Sequence, residues 1–457
     1  MGAVAVLPTT GARSAVLHEV VHRDAVTWSA IGVAATAVLA LVLWRSRLSR
    51  TGLSLAGGRG AGLLLHLWPV VTLTAVYPIA STRMAGHQVG GVDMTVFLLA
   101  VALTLPWLLQ GACLPMYRSI GALVHEGDVT AMRRGFCAAV PGTIVQAVPA
   151  VLISALPLVV LLHWSPRAIG AFVGLLVLDV MFAQSLVLAN VTRARGEWVA
   201  GWSAYAAAVF IAPTWWWLPP LAGLLTQMVP LRRHLLTRPV WLGARTAAGD
   251  MAQGVLLGAV MWGDKVFYFY RTDGDFPVIT LFLASLPAII AYNFYFVCRS
   301  PDFDSSIKRL HTAMENEPLN RLQAHSEAVY RTAIRSMQDS AFVGAVLVGL
   351  TAVLLWSAAP DNAALIGGIA VAGWLSAVIS IACYKLEYVD ERRATRIIGG
   401  SHLLLCAAVF ASPIPASSAY LSLVAGDVVI LLGTLLLFRR TWKTPEHTLF
   451  WRRALNW

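Results

Sequence analysis

Long apolar blocks, a dozen or more in series and parted by short polar segments, constrain this 457-residue chain more than anything else in it. About 20 apolar residues in a helix cross the roughly 30 Å hydrocarbon core of a bilayer. There the backbone must satisfy its own hydrogen bonds, which a helix does within one segment. Charged residues make up only 12% of the chain, about half the share of a soluble domain. Too little polar surface is left to wrap so many buried helices in water. The expected spans are 25–44, 60–80, 94–116, 137–162, 168–191, 199–212, 214–231, 246–270, 277–298, 341–358, 364–384, 399–411 and 419–437. The expected fold class is therefore an all-α polytopic membrane protein.

The formal charge of +11 invites a nucleic-acid reading, which its distribution opposes. Of the 34 Lys and Arg, 28 fall in every second connecting segment: 45–59, 117–136, 192–198, 232–245, 299–340, 385–398 and 438–457. The alternate segments hold only Arg13, Arg23, Arg83, Arg167 and Arg271. Lys and Arg bias loops toward the cytoplasm. The rich set is thus expected inside, with the N-terminus outside, the C-terminus cytoplasmic and the plasma membrane as location. A missed or invented span would break this alternation, so charge checks the topology independently of hydropathy.

With the first helix set aside, twelve spans divide at 232–245 into six and six. The longest inner segment follows the second helix in each half, at 117–136 and 299–340. The expected domains are 1–50 with an extra helix, a first six-helix bundle over 51–238, and a second over 239–457 ending in a basic tail. Transporter folds commonly carry such repeats, with the substrate path between them. Segment 302–339 has soluble character. From Leu319, apolar Leu322, Val329, Ala333, Ile334 and Met337 recur at helical spacing, which predicts an amphipathic helix lying on the membrane or running into the next span. Pro213, Trp215, Trp216 and Trp217 predict a tight outer hairpin with indoles at the interface.

No GxxxxGK[ST] loop and no HExxH occurs, so no nucleotide or metal cofactor is expected and an enzyme is not. Cys113, Cys137, Cys298, Cys383 and Cys406 lie in or at the ends of apolar spans without metal spacing, as packing residues do. Ionisable groups inside a bilayer cost about 2.5–3.5 kcal/mol on insertion scales and are functional candidates. Asp179 lies roughly 17–18 Å from either end of its helix, with Gln184 near its face. Asp250 falls near the inner end of 246–270. Asp264 and Lys265 fall near its outer end, beside Trp262. Being adjacent, Asp264 and Lys265 point about 100° apart and are not expected to pair directly. Asp427 and His66 read as structural.

Two stretches carry a resemblance. They are MTVFLLAVALTLPWLLQGACLPMYRSIGALVHEGDVTAM (94–132) and the region from GVLLGAVMWGDKVFYFY (254–270) through the inner segment to 337. Asp264, Lys265, Phe267 and the mid-span Pro287 stand where the PelG-type exopolysaccharide exporters carry a DK-aromatic helix end and a following proline. The chain resembles that family, within the multidrug/oligosaccharidyl-lipid/polysaccharide flippase superfamily. It departs from the family at Tyr117–Arg118, at Leu67–Trp68–Pro69 and in the extra helix 25–44.

The resemblance implies two six-helix bundles around a central cavity and alternating access, moving an exopolysaccharide or lipid-linked glycan outward. Membrane lipids are implied neighbours, and a cytoplasmic glycosyltransferase or other synthase subunits are implied partners. Asp179, Asp250, Asp264, Lys265 and Trp262 are the expected lining of the path. An ion-coupled small-molecule antiporter of the same fold and a non-transporting synthase subunit are the alternatives.

Overall fold

The computed structural model describes residues 60–454 except 61, 193, 242, 276–277 and 359–362. The helix expected over 25–44 and the basic segment 45–59 lie outside the described residues. The chain runs α1 (Trp68–Met84), a hairpin of β1 (Gln88–Val89) and β2 (Val92–Asp93), α2 (Met94–Glu126), α3 (Val129–Val160), α4 (Pro166–Val191), α5 (Arg195–Ile211) and α6 (Leu218–Leu231). It continues with α7 (Ala244–Arg271), α8 (Val278–Phe294), a π-helical turn (Tyr295–Arg299), α9 (Ser300–Asn316), α10 (Leu319–Ala358), α11 (Ala363–Tyr388), α12 (Arg392–Ala411), α13 (Ala416–Trp442) and α14 (Pro445–Ala454).

Each span expected after residue 59 is a helix in this list. Eight helices among the described residues are long and apolar enough to cross a membrane, and the protein is a multi-pass membrane protein. The other expected spans are α1 and α5 at 17 residues, α6 at 14, and the more polar α7 at 28.

Local signals set the ends. Asp93, Asp128 and Ser165 each accept a hydrogen bond from a first-turn backbone N–H and so start α2, α3 and α4. Gly127, at φ +72°, stops α2 in the left-handed conformation. The hairpin turns on Gly90 and Gly91, both at positive φ. A Cβ at Gly90 would stand 2.4 Å from the backbone N of Ala168, so only glycine lets the hairpin sit on the start of α4. There Ser165 Oγ donates to Gly90 O at 2.5 Å.

Helices α1–α6 pack on one another, as do α7–α14, and the two sets meet most extensively where α2 lies against α7. Small residues make that seam. A Cβ on Gly254 would lie 2.3 Å from Gln110 O, and one on Gly258 2.5 Å from Trp107 O. Backbones approach this closely only over glycine. Trp107 Nε1 donates to Val255 O at 2.7 Å and locks the register.

The connecting segments gather at two ends. At one, Arg133 on α3 pairs with Glu197 on α5 at 2.6 Å. At the other, Arg83 donates to Phe210 O at 3.1 Å and Arg271 to Ile414 O. The first is the end that the charge pattern assigns to the cytoplasm.

At the basic end the amphipathic helix runs into the next span, one of the two arrangements expected, while helix α9 and the burial of Lys385 depart from expectation. Segment 299–340 is one helical excursion: α8 passes through the π turn into α9, and α10 returns over 40 residues, amphipathic half and span fused. Val329, Ala333 and Met337 are buried as expected, against Phe303, Ile307 and Leu310 of α9 and Phe438 and Trp442 of α13. Helix α9 escapes a hydropathy reading because it buries only a narrow stripe, Phe303, Ile307, Leu310 and Ala313. Lys385, counted above among the inner-loop cations, is wholly buried.

Candidate substrate and ion path

The five residues expected to line a path fall in three places. Asp179, mid-way along α4, is 3% exposed, inside the first set. Among the described residues no hydrogen bond or ion pair reaches its carboxylate. Tyr205 on α5 lies within electrostatic range, and Tyr205 stacks on Phe182 at 5.7 Å. Gln184 is turned elsewhere: it accepts from Thr143 Oγ1 at 3.1 Å and donates to Ala112 O at 3.0 Å, tying α4 to α3 and α2.

Asp250 sits at the basic end and crosses the junction between the sets. Arg118 on α2 grips it with Nε at 2.7 Å and a terminal nitrogen at 2.6 Å. Arg392 at the start of α12 approaches to 3.7 Å. One turn along α7, Gln253 donates to Glu387 and to Thr395 Oγ1, both at 2.6 Å, and accepts from Arg396 Nε at 2.7 Å. This network joins α2, α7, α11 and α12. It was not foreseen because its members are ordinary loop-flanking polar residues in sequence.

Asp264, Lys265 and Trp262 do come together, deep in the second set. Contrary to expectation, Asp264 and Lys265 pair: Lys265 Nζ lies 2.9 and 3.1 Å from the two carboxylate oxygens and donates to Met261 O at 3.1 Å. Their Cβ atoms diverge, but the lysine stem is long enough to fold back. With Asp264 1% and Lys265 3% exposed, water offers no competing partner. The ammonium also sits 5.8 Å from the centre of the Trp262 ring, within cation–π range. Next to this pair lies a second that sequence reasoning missed. His402 Nδ1 is 2.7 Å from Asp427 Oδ1, both wholly buried, and Cys406 Sγ is 3.3 Å from His402 Nε2. The available signal was His402 and Cys406 one turn apart in an otherwise apolar helix.

Beside the Arg118–Asp250 clasp, tyrosines of α2, α8 and α11 and Asn190 of α4 come within electrostatic or hydrogen-bond range of one another, and we read their surroundings as a crevice. Tyr117 is 42% exposed although it faces Asn190 on α4 and Tyr384 on α11. Asn190 is also exposed. Tyr292 on α8 lies within electrostatic range of Tyr117, Tyr384 and Glu387. Side chains that are surrounded yet accessible line an opening. From it an aromatic series leads toward the basic end: Tyr292 to Phe296 at 4.8 Å, Phe296 to Tyr384 at 4.9 Å, Tyr384 to Tyr388 at 5.3 Å and Tyr388 to Phe303 at 5.1 Å between ring centres. At the opposite end Trp215 and Trp217 stack on each other, exposed, while Trp216 turns inward onto Phe97.

No family model matches the chain, and no curated protein is significantly similar to it. Among solved structures it is similar to a MATE protein crystallised in complex with MaD5, at 12% identity over 83% of this chain and 92% of that one, TM-score 0.46. It is also similar to a multidrug resistance MATE family transporter of the MOP superfamily in an outward-facing conformation, at 13% over 83% and 94%, TM-score 0.40. A MOP superfamily transporter from Pyrococcus furiosus is similar at 14% over 93% and 96%, TM-score 0.36. At identities and scores this low the likeness assigns this chain no family and no function.

Proposed function

We propose that the protein is a membrane transporter that moves a glycan, an exopolysaccharide or a lipid-linked saccharide, from the basic side to the opposite side of the plasma membrane. The observation that carries this reading is the crevice of Tyr117, Tyr292 and Tyr384 with Asn190 and Glu387, where the two helix sets meet. Sugar rings present apolar faces and hydroxyl edges, and aromatic faces beside amide and carboxylate groups suit both. The PelG-type resemblance at Asp264, Lys265 and Phe267 supports the same substrate class. In this reading the Arg118–Asp250–Arg392 network closes the basic end in one state and parts in the other. Asp179, Asp264 and Lys265 provide the charged interior between the ends, with the Trp262 ring beside Lys265. A cytoplasmic glycosyltransferase delivering the polymer would meet the exposed surface of α9 and the first half of α10.

The test is secretion. Tyr117→Ala and Tyr292→Ala, expressed in place of the natural chain at unchanged membrane abundance, should reduce extracellular polysaccharide at least tenfold, while Tyr→Phe should retain it. Unchanged secretion, with increased sensitivity to small toxic cations, would favour the antiporter. Unchanged secretion that fails only on deletion of 303–337 would favour a non-transporting synthase subunit.

A further inference from the structure

Outside that crevice, the apolar level of the second helix set holds a closed account of charge. Over 251–270 of α7, 278–298 of α8, 340–358 of α10, 363–384 of α11, 397–411 of α12 and 416–438 of α13 there are four residues of the types Asp, Glu, Lys, Arg and His: Asp264, Lys265, His402 and Asp427. The structure brings these four together. Asp264 holds Lys265 and Asp427 holds His402, and Asp427 lies within electrostatic range of both Asp264 and Lys265. The neighbouring groups are Tyr268 on α7, Cys406 on α12 and Tyr420 on α13. Helix α2, packed along α7, brings no ionisable residue between Val96 and Gln110, and α11 none before Cys383.

With His402 neutral, this cluster carries one uncompensated negative charge among wholly or almost wholly buried groups, where an isolated charge costs several kcal/mol. One monovalent cation removes the imbalance. Asp427 Oδ2 is buried and has no hydrogen-bond partner, while Oδ1 is already taken by His402 Nδ1. No group of three or more His, Cys, Asp or Glu side chains among the described residues is arranged to hold a metal ion. An imidazole, by contrast, accepts a proton in place at Nε2 once the Cys406 thiol beside it turns its hydrogen away.

We propose that His402 and Asp427 form a proton-binding site of the second helix set, with Lys265 as a fixed internal counter-cation for Asp264. The proton adds at His402 Nε2 and leaves by the same atom; no other bond forms or breaks. Loading brings the cluster to neutrality and favours closure of α7, α12 and α13 around it. Release leaves a net charge that draws water and loosens the same contacts. Its use as the coupling step rests on the transporter reading, but proton binding is measurable without transport, so either can fail alone.

The test is infrared difference spectroscopy of the full chain in phosphatidylcholine nanodiscs, between mildly alkaline and mildly acidic pH. An imidazole band coupled to a carboxylate band should appear, shift when the medium is D2O, and vanish in both His402→Asn and Asp427→Asn while persisting in Asp179→Asn. Proton uptake counted with a pH dye should fall by about one per chain in His402→Asn. Bands unchanged in both variants overturn the proposal. So does their abolition by sodium against choline at fixed pH, which would make the ligand a metal cation. Should either variant fail to fold, ring-isotope-labelled histidine in the unmodified chain decides: the absence of an imidazole band that titrates together with a carboxylate band overturns it.

Discussion

Arg118 and Asp250 meet across the junction of the two helix sets through two parallel N–H···O bonds of 2.7 and 2.6 Å. The pair is lopsided in its exposure, with the aspartate side chain 8% exposed and the arginine 41%. The two ends of one bond therefore play different parts. The carboxylate is fixed in the second set, held at 3.7 Å from Arg392 as well. The guanidinium reaches over from the first set and is free to withdraw into water.

That asymmetry gives the first prediction. Asp250→Asn removes the fixed half and should raise the labelling rate of a cysteine placed at Tyr117 about tenfold, because the clasp beside the crevice opens. Arg118→Gln should do the same and in addition leave a buried carboxylate short of its partner. We expect it to cost roughly 1–3 kcal/mol, below the range for a fully buried pair because the arginine is partly solvated. Labelling kinetics and thermal melting in detergent separate the two effects. Equal labelling in wild type and both variants would show that the clasp does not gate the crevice.

The second prediction concerns the glycine seam. Gly258→Ala places a Cβ at 2.5 Å from Trp107 O, and Gly254→Ala one at 2.3 Å from Gln110 O. Each atom struck is backbone, so α2 and α7 must separate. Each change should destabilise by about 1–3 kcal/mol, read as a lower melting temperature. Gly249→Ala, on the same helix with open space around it, should stabilise by roughly 0.4–1 kcal/mol through the unfolded chain. A melt in which all three behave alike would contradict the seam.

Lys385 yields a third. Its ammonium is buried without a hydrogen-bond partner, 3.8 Å from the centre of the Phe303 ring and 4.9 Å from that of Tyr295. Each aromatic face returns about 2 kcal/mol and Asp304 lies within electrostatic range, but with no hydrogen bond made these fall short of what a packed apolar side chain gives at the same place. Lys385→Met should thus stabilise the chain, while Phe303→Ala should destabilise it by about 3–5 kcal/mol. A clear loss of stability in Lys385→Met would show that the charge has a partner in the membrane-bound protein.

These cases also show what a sequence of this kind discloses. Apolar block length and basic loops located the helices after residue 59, because the bilayer imposes length and charge rules that each segment obeys alone. What needed the structure was register between helices. His402 and Asp427 are 25 positions apart and become a pair only when α12 and α13 align. Arg118 and Asp250 are 132 apart and belong to different sets. Lys385 looked like a loop cation because it lies one turn from the end of α11, and only the π turn and α9 folding over it bury it. Helix α9 itself was unread because its partner surface is supplied by distant residues, Val329 and Trp442.

The last prediction fixes direction. His87, beside the hairpin, and Ser305, on the outer face of α9, are both exposed and lie at opposite ends of the helices. Four native cysteines are buried and Cys113 is partly so, which leaves a low labelling background. On intact cells a membrane-impermeant maleimide should modify His87→Cys and spare Ser305→Cys. Opening the cells should make Ser305→Cys react at least tenfold faster. The positive-inside bias demands this outcome, since 299–340 alone carries six Lys and Arg. Labelling of Ser305→Cys from outside would invert the protein in the membrane, put the tyrosine crevice on the external side, and turn the proposed exporter into a device facing the wrong pool of substrate.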